Sequence, residues 1–173
     1  MYDRLSVEPG KVMGTPVNGG IEVTPDPAKF KQRWNACLGN NDVFSPRNWA
    51  QYGFDDSSWT VAGWIDLKTG RQIRLRCGGV RHMMNDTSGR INNKAHDAST
   101  NPAAFMKCVT NILQMGTPGS FKRSPQEFKF PYGIGTAGMY VDASSGDPWD
   151  DVRTAFTDNL VADDWVGCSL GSR

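Results

Sequence analysis

Acid–base and nucleophilic chemistry needs a group that titrates near neutrality beside a nucleophile or a second carboxylate, and this sequence offers few such places. Its two histidines are His82 and His96. His82 closes the run Cys77-Gly78-Gly79-Val80-Arg81-His82, in which an arginine and an imidazole could favour a thiolate and stabilise an oxyanion. Against this, Cys77 falls at the end of an alternating run and is expected to face the core, the usual place for a thiol. His96 stands beside Asp97, but sequence neighbours need not face each other, and a solvated loop histidine is the expectation. No catalytic residue is assigned, and an enzyme is the less expected class.

The carboxylates form adjacent pairs, Asp55-Asp56, Asp150-Asp151 and Asp163-Asp164, which is the habit of caps and turns. One pair has suggestive neighbours. Trp49, Asp55, Asp56, Trp59 and Trp64 could offer ring faces and hydrogen-bond acceptors to a glycan, although the same aromatics would equally build a hairpin core. A glycosidase pairing of Asp55 or Asp56 with Glu127 or Asp142 needs a separation of a few ångströms that sequence does not supply. Cys37, Cys77, Cys108 and Cys168 form no C-x-x-C pair, so no zinc site is expected, and buried free thiols are favoured over disulfides. The glycine-rich run from Gly133 to Gly138 resembles a dinucleotide fingerprint but is not taken as one, and no cofactor or metal is expected.

The charge pattern carries more information than these motifs. Over 173 residues, 19 basic and 18 acidic side chains leave a net charge of +1, against a surface tuned as a whole to nucleic acid. Locally the balance is lost. Lys68, Arg71, Arg74, Arg76, Arg81, Arg90 and Lys94 are opposed only by Asp86, whereas Asp142, Asp147, Asp150, Asp151, Asp158, Asp163 and Asp164 are opposed only by Arg153 and Arg173. Such blocks either face each other, lie in solvent, or meet across copies in a head-to-tail contact.

The last option, with no catalytic constellation to set against it, gives the leading expectation. It is a structural subunit of a larger assembly, concretely a virion component such as a phage tail, connector or capsid-associated protein. Its partners would be copies of itself or other subunits, held by exchanged arms and complementary charged faces. The basic face would be Lys68, Arg71, Arg74, Arg76, Arg81 and Arg90, and the acidic face Asp150, Asp151, Asp158, Asp163 and Asp164. Two rivals stand beside it: a secreted or injected glycan-binding protein or cell-wall hydrolase using Asp55 to Trp64, and a nucleic-acid-binding protein using the basic hairpin 68–81. Met1-Tyr2-Asp3-Arg4-Leu5 lacks the pattern of a secretory signal, so synthesis in the cytoplasm is expected. No stretch approaches the roughly 18 apolar residues of a membrane span.

The elements that must position these residues are partly legible. Asp26-Pro27 followed by Phe30, Trp34, Cys37 and Leu38 predicts a helix ending at Gly39. Alternation from Trp59 to Leu67 and again through Ile73 and Leu75, with Gly70 between, predicts a β-hairpin. Asn101-Pro102 with Phe105, Val109, Ile112 and Leu113 predicts a helix closed at Gly116. Thr117 to Tyr132 reads as extended and Gly133 to Asp142 as a strand. Trp149, Val152, Phe156 and Leu160 after Asp147-Pro148 predict a third helix, residues 78–100 a polar loop, and Asp163 to Arg173 an extended end. The fold class expected is α+β: an extended N-terminal arm over residues 1–25, then one domain over 26–173 with an antiparallel sheet and about three short helices.

Overall fold

The computed structural model describes residues 17–18, 20–39, 48–84, 96–118, 126–133, 135–144, 146–158 and 164–171. Eight strands form one mixed sheet. In chain order they are β1 (Val17–Asn18), β2 (Ile21–Thr24), β3 (Thr60–Asp66), β4 (Gln72–Arg76), β5 (Thr117–Pro118), β6 (Gln126–Tyr132), β7 (Gly135–Asp142) and β8 (Trp149–Asp158). Across the sheet the order is β1-β2-β3-β4-β8-β7-β6-β5. Every neighbouring pair is antiparallel except β4 and β8, which run parallel, so the wholly antiparallel sheet expected from the sequence is corrected to a mixed one. Two antiparallel halves, β1 to β4 and β5 to β8, therefore meet along a short parallel seam. The class is α+β.

Four α-helices, with short 3-10 helices at Trp49–Tyr52 and Ala98–Thr100, complete the described chain: α1 (Pro27–Cys37), α2 (Cys77–Met84), α3 (Pro102–Met115) and α4 (Trp165–Leu170). In α1 the Asp26 carboxylate accepts the Lys29 amide at 2.9 Å, Pro27 opens the first turn, and Phe30, Trp34 and Cys37 are buried along one stripe. Pro102 opens α3 in the same way, and Phe105, Cys108, Val109 and Ile112 face inward. Phe105 is the hub of the core: its ring lies 5.5 Å from Phe30, 6.3 Å from Trp34 and Trp64, and 4.8 Å from Trp165. Thus α1, α3, α4 and β3 share one aromatic cluster.

Strand alternation sorts the sheet's two faces. Val23, Trp64, Ile73, Met139, Ala155, Phe128 and Phe130 are buried beneath the helices. Gly63, Arg74, Asp151 and Asp142 form a row across β3, β4, β8 and β7 on the opposite face.

Several expectations are overturned. Trp149 to Asp158 is a strand, not a helix: Trp149 and Phe156 lie on one face of the sheet and Val152 on the other, and a bulge at Arg153 interrupts the alternation, since Tyr140 pairs with Thr154 while Val141 pairs with Val152. The polar loop expected after Cys77 begins as α2, and the C-terminal segment contains α4, capped by the Asp164 carboxylate on the Gly167 amide. The cysteines are not free thiols: Cys37 bonds Cys77 and Cys108 bonds Cys168. In each pair α-carbons 5.1 Å apart bring the sulfurs within reach of a bond. Residues 17–18 and 21–24 of the expected arm are strands at the sheet's edge, and residues 1–16 lie outside the described residues. The Gly133, Gly135 and Gly138 spacing sits where β6 turns back into antiparallel β7, with no helix following to receive a phosphate.

Candidate functional site

The parallel seam is only three rows long, Gln72 with Trp149, Ile73 with Asp150 and Arg74 with Asp151. Beyond the third row β4 ends and the chain turns into α2, while β8 runs on against β7. Where the two strands part they open a cleft of about 670 Å³, lined by Ser58, Arg76, Arg81, His82, Asp151 and Arg153 among others. A crevice at the carboxyl end of a parallel strand, where its neighbours lead away in opposite directions, is a place where sheets commonly bind ligands.

Local irregularities gather around this cleft. Val61 is the extra residue of a bulge in β3, because Thr60 pairs with Arg76 but Ala62 with Leu75. Arg153 is the extra residue of the bulge in β8, and such a residue is re-aimed relative to regular alternation. Trp59, in the cleft wall, has φ +58°, a left-handed conformation that a bulky side chain adopts at a cost of about 1–3 kcal/mol. Gly79 of α2 packs so tightly that a β-carbon there would lie 2.7 Å from both the Val152 carbonyl oxygen and Leu75. Only glycine lets α2 sit this close to β8.

The electrostatics are those of an anion site. Arg76 donates Nε to the Ser58 carbonyl at 2.9 Å, and Arg81 donates Nε to the Cys37 carbonyl at 3.2 Å. Arg153 grips Asp142 with two parallel bonds, Nε at 3.0 Å and Nη2 at 2.8 Å. Asp151 accepts Arg74 Nε at 2.9 Å, and Arg74 Nη2 reaches Asp147 at 3.0 Å. Both cleft carboxylates are thus engaged by arginines. Arg76 has no carboxylate partner among the described residues, and His82 is exposed at the rim. The Cys77 sulfur is tied to Cys37 and is no nucleophile, while the Ser58 hydroxyl is bonded to Asp56 at 2.6 Å and Thr60 at 2.8 Å. The arrangement can hold a phosphate or carboxylate. Among the described residues no three histidines, cysteines or carboxylates are grouped to hold a metal ion.

The charge blocks read from the sequence are brought together within one chain. Arg71 meets Asp150 at 3.3 Å on the helix side of the seam, and Arg74 meets Asp147 and Asp151 on the other. Arg76 and Arg81 go to the cleft, and Lys68 is exposed in the turn after β3. Asp158 ends β8 and Asp164 caps α4, far from the seam in sequence and engaged in its own helix. Arg90 and Asp163 lie outside the described residues.

The glycan set is dispersed. Trp64 is fully buried and donates Nε1 to the Met106 carbonyl at 3.2 Å, and Trp59 packs edge-on against Phe54. Asp56 is exposed and accepts from Ser58, while Asp55 is exposed beside Arg33. Trp49 is half-buried against the core. No shared ring surface results.

Sequence reasoning missed Arg153, Trp149 and the cleft itself, because apolar residues on both faces of β8 give it the spacing of a helix. Among the described residues, no helix is long and apolar enough to cross a membrane. Compared with protein families, curated proteins and solved structures, the chain matches none.

Proposed function

We propose that this protein is a binding protein for nucleic acid, taking the phosphate backbone in the cleft at the end of β4. The observation that carries this reading is the convergence of Arg76, Arg81, Arg153 and His82 on one cleft. Arg76 and Arg81 come from the basic hairpin region, while the other hairpin arginines, Arg71 and Arg74, are engaged by aspartates of the same chain. The binding surface is therefore small and set at one end of the hairpin. Guanidinium groups suit phosphate because they offer paired donors in one plane.

Two guanidinium contacts, from Arg76 and Arg81, fix the size of the effect, since Arg153 is already paired with Asp142. Each phosphate neutralised on a single strand contributes about −0.7 to the slope of log affinity against log salt, so a slope of about −1.4 is expected. Fluorescence anisotropy of a labelled 12-nucleotide RNA, titrated with protein at several salt concentrations, measures it. Arg76→Ala is expected to weaken binding and reduce the slope by roughly one contact. Saturable binding absent even at 20 mM salt, or an affinity indifferent to Arg76→Ala, would sink the reading.

A second reading, a subunit that associates with copies of itself, is favoured by a separate observation. Met115 at the end of α3 and Val166 and Leu170 of α4 are exposed at 51%, 49% and 74%. The Cys108–Cys168 bond and the packing of α3 on α4 set these side chains at one corner of the molecule. Exposed apolar groups gathered in this way commonly mark contacts. Light scattering of the wild type and of Leu170→Lys over a concentration series decides it: oligomers lost in the variant support association, and a 19.0 kDa monomer in both overturns it.

A further inference from the structure

We infer that the sheet face turned away from α1, α3 and α4 is a base-stacking platform, so that the strand held at the cleft is single-stranded; this rests on the nucleic-acid reading and names its substrate class. Tyr140 and Phe156 lie on this face with ring centroids 6.1 Å apart, and Trp149 lies on it at the other end of β8. All three rings are partly exposed.

Two of the rings pack against glycines. Trp149 covers Gly63, where a β-carbon would lie 3.1 Å from the indole, and Phe156 presses against Gly138 so closely that no β-carbon fits. Bare backbone at these glycines gives the two rings room to pack on the sheet while staying partly exposed. Their exposed parts flank the row Arg74, Asp151 and Asp142, which leads to the cleft, so the rings and the phosphate site share one side of the sheet.

Four of the acidic groups on this face are engaged by basic side chains. Asp142 is held by Arg153, Asp151 and Asp147 by Arg74, and Glu127 lies 3.8 Å from Lys129 and accepts the Tyr140 hydroxyl at 3.0 Å. With Arg76 the cations Arg74, Arg76, Arg153 and Lys129 equal these four carboxylates in number, so the attraction for a strand on this face comes from the rings and not from net charge. Trp149 and Phe156 are seven residues apart on one strand, about 20 Å at 3.3 Å per residue with the bulge allowed for. A platform of that length spans several nucleotides, within the range of about 4–16 seen for single-strand sites of stacking and basic groups. A duplex keeps its bases stacked on one another and offers these rings nothing.

The test compares three labelled probes on the intact, oxidised protein: a 12-nucleotide RNA, the same strand annealed to its complement, and an abasic strand of equal length and charge. The single strand is expected to bind at least tenfold more tightly than the other two. Phe156→Leu and Trp149→Leu, which keep apolar cover over the glycines, are expected to weaken the single strand about 5- to 100-fold. They should leave the abasic strand unchanged, which separates loss of stacking from loss of fold. Equal affinity for all three probes, unaltered by either variant, overturns the platform and leaves the phosphate reading standing. Failure of every probe to bind overturns both.

Discussion

Arg33 is a buried cation, 3% exposed on α1, and its guanidinium ties that helix to the segment entering β3. It donates Nε to the Gly53 carbonyl at 2.6 Å, Nη1 to the Thr60 carbonyl at 3.1 Å and Nη2 to Asp55 at 3.2 Å. Burial lowers its pKa, and the charge of Asp55 works in the opposite direction. Asp55 is 84% exposed, so the ion pair itself is worth little and the carbonyl bonds do the holding. Arg33→Met is expected to cost about 3 kcal/mol by stranding those carbonyls, and Asp55→Asn less than about 1 kcal/mol. Urea denaturation midpoints of the two variants check the order. The neighbouring glycines of α2 give an equally sharp contrast. At Gly79 a β-carbon collides with β8, and Gly79→Ala is expected to destabilise by about 1–3 kcal/mol. At Gly78 nothing lies within 4 Å, and Gly78→Ala is expected to stabilise by about 0.5–1 kcal/mol through helix propensity.

Among the elements, α2 and β8 show why some of the fold could be read and some could not. The helices α1 and α3 and the β3–β4 hairpin follow from local signals, a cap with a proline or plain alternation, because each buries one regular face. β8 carries the apolar spacing of a helix because both of its faces hold apolar side chains, Trp149 and Phe156 on one and Val152 on the other, and the bulge at Arg153, which leaves no mark of its own in one sequence, breaks the alternation that would show a strand. In α2 the pair Gly78-Gly79 reads as a breaker, yet the helix forms because tertiary contact requires a glycine there and Cys77 is anchored to α1. The cleft was illegible for the same reason: its arginines come from β4, α2 and β8, and only the parallel seam brings them together. Cysteine spacing left the pairing open among three connectivities, and α-carbon proximity decides it. The bonds close segments separated by 40 and 60 residues, so by chain entropy each stabilises the fold by about 4 kcal/mol. Cys37→Ala with Cys77→Ala is expected to lower thermal stability markedly and to loosen α2, with binding at the cleft lost before secondary structure. Thermal melts followed by circular dichroism, beside anisotropy at each temperature, check that sequence.

Over the whole molecule, the seam joins two half-sheets through three strand rows and a set of ion pairs. The Trp149 amide and then Arg74 hold the Asp147 carboxyl below the ordinary carboxylate range, and the Ser58 hydroxyl and amide do the same for Asp56. A carboxyl whose pKa is depressed by folding adds stability that is present above the ordinary carboxylate pKa and lost as the pH falls below it. Stability is therefore expected to decline below about pH 4, and Asp147→Asn should reduce the slope of that decline. Urea midpoints from pH 6 to pH 2.5 measure it; an identical slope in the variant would deny Asp147 a part in the seam.

The two covalent loops are consecutive, residues 37–77 and then 108–168, and do not interleave along the chain. During vectorial synthesis both partners of the first pair emerge before either partner of the second exists, and domains generally fold from the N-terminus as they appear. Were the chain oxidised as it emerges, Cys37 and Cys77 would pair before Cys108 and Cys168 are made, and the order of synthesis would itself favour the native connectivity.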